Sequence, residues 1–424
     1  MAVVPPTALN EKLQRYIAQT NPATPCLVLD VDRVAQNYHA LHDALPIAQI
    51  FYAIKANPAA PILKRLAALG ASFDCASVNE IDMALAAGCP PPRISYGNTI
   101  KKQKDIAAAY ARGIRIFAFD SEMELAKLAQ AAPGSRVFCR ILTSGEGAEW
   151  PLSRKFGCEP DMAYHLLLKA KALGLEPWGI SFHVGSQQLD PRQWDVAVGT
   201  AAGLFRLLAE QGVQLDMINL GGGFPSTYQK AVPTPTDYAR VIRQSLTDHF
   251  GNQLPGTIIM EPGRGIVGDA GVVLAEVVLV SRKHENDTIR WVYLDIGLYG
   301  GMQETLFEGI HYQIETSKDA DPQRSRVIIA GPTCDSTDVL YEKADYKLPD
   351  SLAAGDRLTF HCAGAYTTTY ASQSFNGFKP WMSIIFRASL FDEKVHRGLA
   401  EKTGLNRRSQ YARLRWGWRW SWRS

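Results

Sequence analysis

Lys55 closes the apolar run Phe51-Tyr52-Ala53-Ile54 and precedes Ala56-Asn57-Pro58, so a strand ending there presents an amine at a turn. An amine so placed can bond covalently to a carbonyl carbon. Further along stand His183-Val184-Gly185-Ser186, Gly221-Gly222-Gly223, Glu261-Pro262-Gly263-Arg264, Gly331-Pro332-Thr333-Cys334-Asp335 and Gly364-Ala365-Tyr366. Glycine backbone lets amides approach phosphate oxygens closely, although a glycine triplet alone is more often a tight turn. Arg264 adds a cation to that loop. Glu261 could hold a proton on a ring nitrogen, or simply pair with an arginine. A histidine at a strand end is usually structural, but His183 next to glycine and serine could also stack on a flat ring. Cys334 is either a buried filler or, beside Asp335, a proton donor. Together these groups could hold and run a pyridoxal 5′-phosphate cofactor.

The elements that must position them follow from alternation. Short apolar or β-branched runs recur with helical segments between them: Phe51 to Ile54, Ser72 to Cys75, Ile94 to Tyr96, Arg115 to Phe119, Val137 to Ile141, Gly179 to Val184, Met217 to Leu220 and Thr257 to Met260. Pro61 to Gly70 carries helical spacing with a glycine stop, and the segment from Ser121 to Leu128 is expected to open with a capping box. Eight strand-then-helix units predict a (β/α)8 barrel, whose sites lie at the carboxyl ends of its strands. Those ends carry Lys55, Asp74, Asn98, Asp120, Arg140, His183, the glycine run and Glu261, and the loops after strands seven and eight are the usual phosphate site of this fold.

After Gly265 the strands lose their helices: Gly271 to Val280, Arg290 to Asp295, Val327 to Ala330, Val339 to Tyr341 and Arg357 to His361. This predicts a mostly antiparallel β domain over 270–400, joined by residues 1–30 through a strand near Cys26 to Asp30, beside a barrel over 31–269. The 424 residues are 46% hydrophobic and 21% charged, long enough for two cores. No apolar leader core lies in Met1 to Thr20 and no run reaches the ~20 residues of a membrane span, so a cytoplasmic protein without membrane or nucleic-acid partners is expected. Seven cysteines without paired spacing argue against disulfides and a structural zinc site, and no metal is expected. Subtracting the six arginines of the tail over 401–424 turns the net charge of +3 into −3, so the basicity is the tail's. Arginine interleaved with Trp416, Trp418, Trp420 and Trp422 could meet a membrane or nucleic acid, but a disordered extension is the preferred reading.

The motifs YAIKAN, FDCAS, FHVGSQ, LGGGFP, EPGR, GPTCDS, GAYT and SFNGF occur in order on these elements. Over roughly residues 20 to 400 the chain resembles the group IV, fold type III, pyridoxal phosphate-dependent amino-acid decarboxylases, above all ornithine and bacterial lysine/ornithine decarboxylases. The resemblance implies that Lys55 bonds to the cofactor, His183 stacks on its ring and Glu261 binds its nitrogen. Ser186, Gly222, Gly223, Gly263, Arg264 and Tyr366 would hold the phosphate, with Asp74, Glu80 and Arg140 lining the cofactor side. It further implies a homodimer with shared sites: Cys334 and Asp335 complete the partner's site, Lys155 pairs with Asp338 across the dimer, and Cys334 protonates Cα after carbon dioxide leaves. Thr143 to Gly157 reads as a mobile loop at the barrel mouth.

For the substrate's distal ammonium the candidates are Asp335, Tyr299, Phe307, Glu308 and Phe375. Eukaryotic ornithine enzymes look like Tyr-Asp where this chain has Phe307-Glu308. A glutamate arm would shorten the pocket, so ornithine to putrescine is favoured, with lysine to cadaverine next. Arginine and diaminopimelate are further alternatives, but diaminopimelate decarboxylases continue the cysteine motif with glutamate rather than Asp335. Alanine racemases place an arginine where Glu261 stands. A non-catalytic regulator of decarboxylase ancestry would have no need of Lys55, Glu261, Arg264 and Cys334 together.

Overall fold

Inner and outer faces of eight strands divide the barrel's apolar residues. In this computed structural model, which describes residues 11–151, 155–378 and 382–387, the strands are Gln49–Ala53, Ser72–Cys75, Ile94–Tyr96, Ile116–Phe119, Arg136–Arg140, Glu176–Ser181, Met217–Asn219 and Thr257–Met260. All are paired in parallel and close into a barrel. Side chains alternate with period two. Phe51, Ile116, Ala118, Phe138, Trp178, Met217 and Ile259 form one small cluster, the plug inside the barrel. Their sequence neighbours, such as Tyr52, Phe117, Val137, Ile218 and Met260, pack outward in the larger core beneath the helices.

The helices stand where apolar spacing placed them, as in Ala60–Ala68, which buries Ile62, Leu63 and Leu66. One expected cap is absent. Ser121 sits at the N-cap of the helix Glu122–Ala131, but its side chain makes no capping bond. Glu124, the residue that would complete the box, is buried in ion pairs with Lys101 (3.0 Å) and Lys127 (2.5 Å). Two cations outcompete one backbone amide for its carboxylate.

The second layer is a nine-stranded sheet with six antiparallel and two parallel pairings. Cys26–Asp30 joins it by pairing antiparallel with the start of Gly271–Ser281. Three of its strands escaped the sequence reading: Ile314–Thr316 and Lys347–Pro349 because they are only three residues long, and Met382–Phe386 although it is apolar and of ordinary length. The sheet is laced to the barrel's first loop: Tyr366 N–H donates to the Ala56 carbonyl (2.8 Å) and Asn57 Nδ2 donates to the Gly364 carbonyl (2.8 Å). That lacing sets Tyr366 beside Lys55.

The segment expected to be a mobile loop is partly a ribbon, since Ala148–Trp150 pairs antiparallel with Ser186–Gln188. Gln188 fastens it by donating to the Glu146 carbonyl (2.8 Å). Of the seven cysteines, five are buried, Cys158 is half-buried and Cys334 is exposed, all as thiols. Among the described residues no helix is long and apolar enough to cross a membrane, and no group of three or more His, Cys, Asp or Glu could hold a metal. The arginine- and tryptophan-rich tail lies outside the described residues.

Candidate active site

Beyond the plug, the inward positions turn polar. One step of two residues takes Phe138 to Arg140, Met217 to Asn219 and Ile259 to Glu261. The apolar floor and the polar mouth are consecutive layers of one barrel. Lys55 enters from the short turn Ile54–Ala56 after the first strand. Its Nζ lies 3.7 Å from Asp74 Oδ2; the Lys55 side chain as a whole is 46% exposed along the open mouth, whereas Asp74 is buried. Burial opposes its charge, but Asp74, Tyr366 and Glu261 outweigh it and hold the amine above its ordinary value.

Glu261 takes a hydrogen bond from Asn219 Nδ2 (2.5 Å). Burial, then the Asp74 charge, pushes its carboxyl up to about 7, against the pull of Lys55, Asn219 and Arg140. Such a group shares a proton with a ring nitrogen without ceasing to be ionisable near neutrality. His183 Nδ1 accepts from the Gly185 amide (3.0 Å), which leaves any ring proton on Nε2. Burial and the nearby Arg140 and Lys55 hold the ring far below its usual value, so it is a neutral plate. Thr143 Oγ1 bonds its carbonyl at 2.6 Å.

Opposite lies the glycine loop. Gly223 has φ +110°, and a side chain on it would strike the Gly185 carbonyl and Val184; one on Gly222 would press on His183 Nε2 and the Glu261 carbonyl. Neither amide donates to any group of the described chain. Arg264 is buried next to this loop with Nη2 3.1 Å from Ser186 Oγ, its ring partner being Tyr366 at 4.9 Å. Its Nε and that of Arg140 are buried without acceptors. Unused amides, unpaired cationic N–H groups, a flat neutral imidazole and an amine fit an anionic, planar, aldehyde-bearing cofactor.

The remaining mouth residues act on backbone. Glu80 Oε2 accepts from the Ala76 amide (2.6 Å) and Asp120 Oδ2 from the Gly157 amide (2.8 Å), while Asn98 braces its own turn through the Ile100 amide (3.2 Å). Three functional neighbours went unnoticed in the sequence: Asn219, Glu304 and Tyr228. Asn219 was legible as the inward residue two past Met217. Glu304 and Tyr228 lie on irregular segments and gave no periodic signal.

A second group gathers on the sheet. Tyr299 Oη donates to Asp335 Oδ2 (2.9 Å), and its ring lies 4.6 Å from that of Phe375. The Thr337 amide and hydroxyl, with Tyr299, hold the Asp335 carboxyl below the usual range. Cys334 is exposed, its amide tied to Asn376 Oδ1 (2.8 Å). Tyr299 and Phe375 border a cavity of about 390 Å³. Among the described residues no hydrogen bond or ion pair joins this group to the barrel mouth.

Two expected contacts have other partners within the single chain. Glu308 spends its carboxylate on His311 Nε2 (3.2 Å) and the Lys343 amide (2.9 Å), while the ring of Phe307 is 91% exposed. Both have positive φ in the turn Gln303–Glu308, which swings them away from a helical arrangement. Asp338 is buried and holds the Leu298 amide (2.7 Å) and the Thr333 hydroxyl (2.7 Å). It is satisfied within its own chain, with no exposed oxygen for Lys155, whose Nζ instead lies over Phe156 at 5.0 Å.

Residues 31–268 match the pyridoxal binding domain of the pyridoxal-dependent decarboxylases. The chain is 34% identical to lysine/ornithine decarboxylase of Selenomonas ruminantium over 89% of this chain and 93% of that one. It is also 34% identical to antizyme inhibitor 2 of Xenopus laevis, over 88% and 83%. The solved structure of lysine/ornithine decarboxylase from Vibrio vulnificus with cadaverine superposes with a TM-score of 0.78 at 30% identity, over 89% of this chain and 98% of that one.

Proposed function

Since this chain belongs to the pyridoxal-dependent decarboxylases, we propose that it converts L-ornithine to putrescine and carbon dioxide at the barrel mouth, within polyamine biosynthesis. The observation that carries a working enzyme is the intact mouth: an amine 3.7 Å from Asp74, a neutral His183, Glu261 poised near neutrality, and the Gly222 and Gly223 amides and Arg264 Nε with no acceptor among the described residues. When bound, pyridoxal 5′-phosphate supplies a sink for the electron pair left as the Cα–carboxylate bond breaks. Lys55 would hold the cofactor through its aldehyde carbon. Glu261 keeps a proton on the ring nitrogen, with Asn219 orienting its carboxylate. His183 covers one ring face. The amides of Gly222 and Gly223, with Ser186, Gly263, Arg264 and Tyr366, bind the phosphate.

We infer that the sheet group works in a second copy's site. Exposed Cys334 and half-buried Asp335 have no partner at their own mouth, and a homodimer that swaps them would complete both sites. Asp335, held ionised by Thr337 and Tyr299, suits a distal ammonium, and Cys334 would deliver the proton to Cα. Glu308, turned to His311 and Lys343, no longer argues for a short pocket, which favours lysine as a second substrate.

Amine formation by cofactor-loaded protein, with ornithine, lysine, arginine and diaminopimelate supplied separately, tests the reading. Putrescine should dominate, with cadaverine second. Agmatine as the main product would reassign the substrate, and no amine from any of them would support the regulatory alternative that the antizyme inhibitor likeness suggests.

A further inference from the structure

Arg264 is nearly spent before any phosphate arrives. A guanidinium has five N–H donors in a rigid fork. Here Nη1 donates to Glu304 Oε2 (2.7 Å) and Tyr228 Oη (2.6 Å), and Nη2 donates to Glu304 Oε1 and to Ser186 Oγ (3.1 Å). The fifth donor, on Nε, is buried with no acceptor. Glu304 is itself buried at 5% exposure, on the turn Gln303–Glu308, and its fork meets that of Arg264 end to end. This turn comes from the sheet half of the chain, whereas Arg264 follows the last barrel strand.

We propose that Glu304 is a positioning residue for the cofactor's phosphate: its carboxylate fixes the guanidinium end-on, so that Nε and the Ser186 side of Nη2 stay aimed at the glycine loop. The inference rests on the reading that Arg264 binds the phosphate. A long arginine side chain freed from such a clamp would sample several rotamers, and the ordering cost would fall on cofactor binding. A bidentate carboxylate removes that freedom in advance. Because the pair is neutral overall, the cradle recognises phosphate by directed hydrogen bonds rather than by net positive charge. Tyr228, donated to by Nη1 and buried at 5% exposure, closes the far side of the clamp.

The test compares two ligands, pyridoxal 5′-phosphate and pyridoxal, titrated into cofactor-free full-length protein and followed by the absorbance of the adduct at Lys55. Glu304→Gln should weaken binding of the phosphorylated ligand by roughly tenfold, the worth of one charge-assisted hydrogen bond, and leave pyridoxal unchanged. Glu304→Asp retains the charge beside Arg264, so it folds even if the glutamine variant does not. By drawing the fork back one methylene it should lose part of the same preference. Equal weakening of both ligands, or an unchanged preference in both variants, would overturn the positioning role. Arg264→Gln in the same titration separates the two failures: if it too leaves the preference intact, the assignment of Arg264 to the phosphate falls first.

Discussion

The barrel mouth and the sheet group contain the same kinds of atoms, carboxylates, a hydroxyl and an ionisable side chain, but they are built in opposite ways. At the mouth, Lys55, Glu261, His183 and Arg264 sit among one another's fields, and their ionisation is displaced by burial and charge. On the sheet, Asp335 is set by three local hydrogen bonds and Cys334 stands exposed. The first group gathers cofactor-binding chemistry within one chain; the second makes no hydrogen bond or ion pair to that mouth among the described residues. The contrast is what the proposed division predicts, with one region holding the cofactor and the other finishing the reaction.

The strongest way to break that comparison is to disable each half separately. Lys55→Ala should lower amine production by at least about 10³-fold and abolish the visible absorbance of the cofactor adduct, since it removes the amine that would bond to the aldehyde. Cys334→Ala should retain the absorbance and lose about 10²-fold in amine formation, with the missing turnover appearing as aldehyde product. Mixing the two inactive variants under conditions of subunit exchange should restore about a quarter of wild-type activity, because half the pairs are mixed and each carries one intact site. If the mixture stays dead while each variant remains dimeric, the sheet group serves its own chain.

A smaller effect sharpens the substrate side. Asp335→Asn should raise the KM for ornithine by about tenfold with a lesser change in kcat, as expected on removing one charged partner of a distal ammonium. Glu308→Gln, by contrast, should leave both within about twofold if its carboxylate serves His311 and the Lys343 amide. A KM that responds to Glu308 and ignores Asp335 would reverse the assignment.

The two regions also differ in how far the sequence revealed them. Barrel strands are regular, so hydrophobic runs fixed their order and the strand-end rule delivered Asp74, Arg140, His183 and Glu261 directly. Asn219 was available by the same period-two step and was passed over. The sheet side depended on turns: Glu304, Phe307 and Glu308 occupy a kinked segment with two consecutive left-handed residues, where neither a helical nor a strand period tells which way a side chain faces. Motif resemblance could place Glu308 near a substrate position but could not show that His311 had claimed it. Likewise the resemblance gave Asp338 only as a partner of Lys155, and the meeting of the 298, 333 and 338 segments that buries it was not legible.

A further predicted effect belongs to Glu261 and reports on the mouth without catalysis. In the cofactor-free protein its carboxyl titrates at about 7, raised by burial and by Asp74, whereas in the unfolded chain a glutamate titrates near about 4.3. Between those values the native state binds a proton that the unfolded state has released, so stability is highest at the acid end and falls as pH rises through the window. Relative to Glu261→Gln, which cannot titrate, the wild type should lose up to about 1.4 kcal/mol per pH unit there, read as the difference in urea unfolding of the two cofactor-free proteins. Loading the cofactor should flatten the difference, because a protonated ring nitrogen beside the carboxylate restores its ionised form at lower pH. A slope of the opposite sign would mean that Lys55 and Arg140 dominate Glu261, and that the mouth is preset for an anion there rather than for a shared proton.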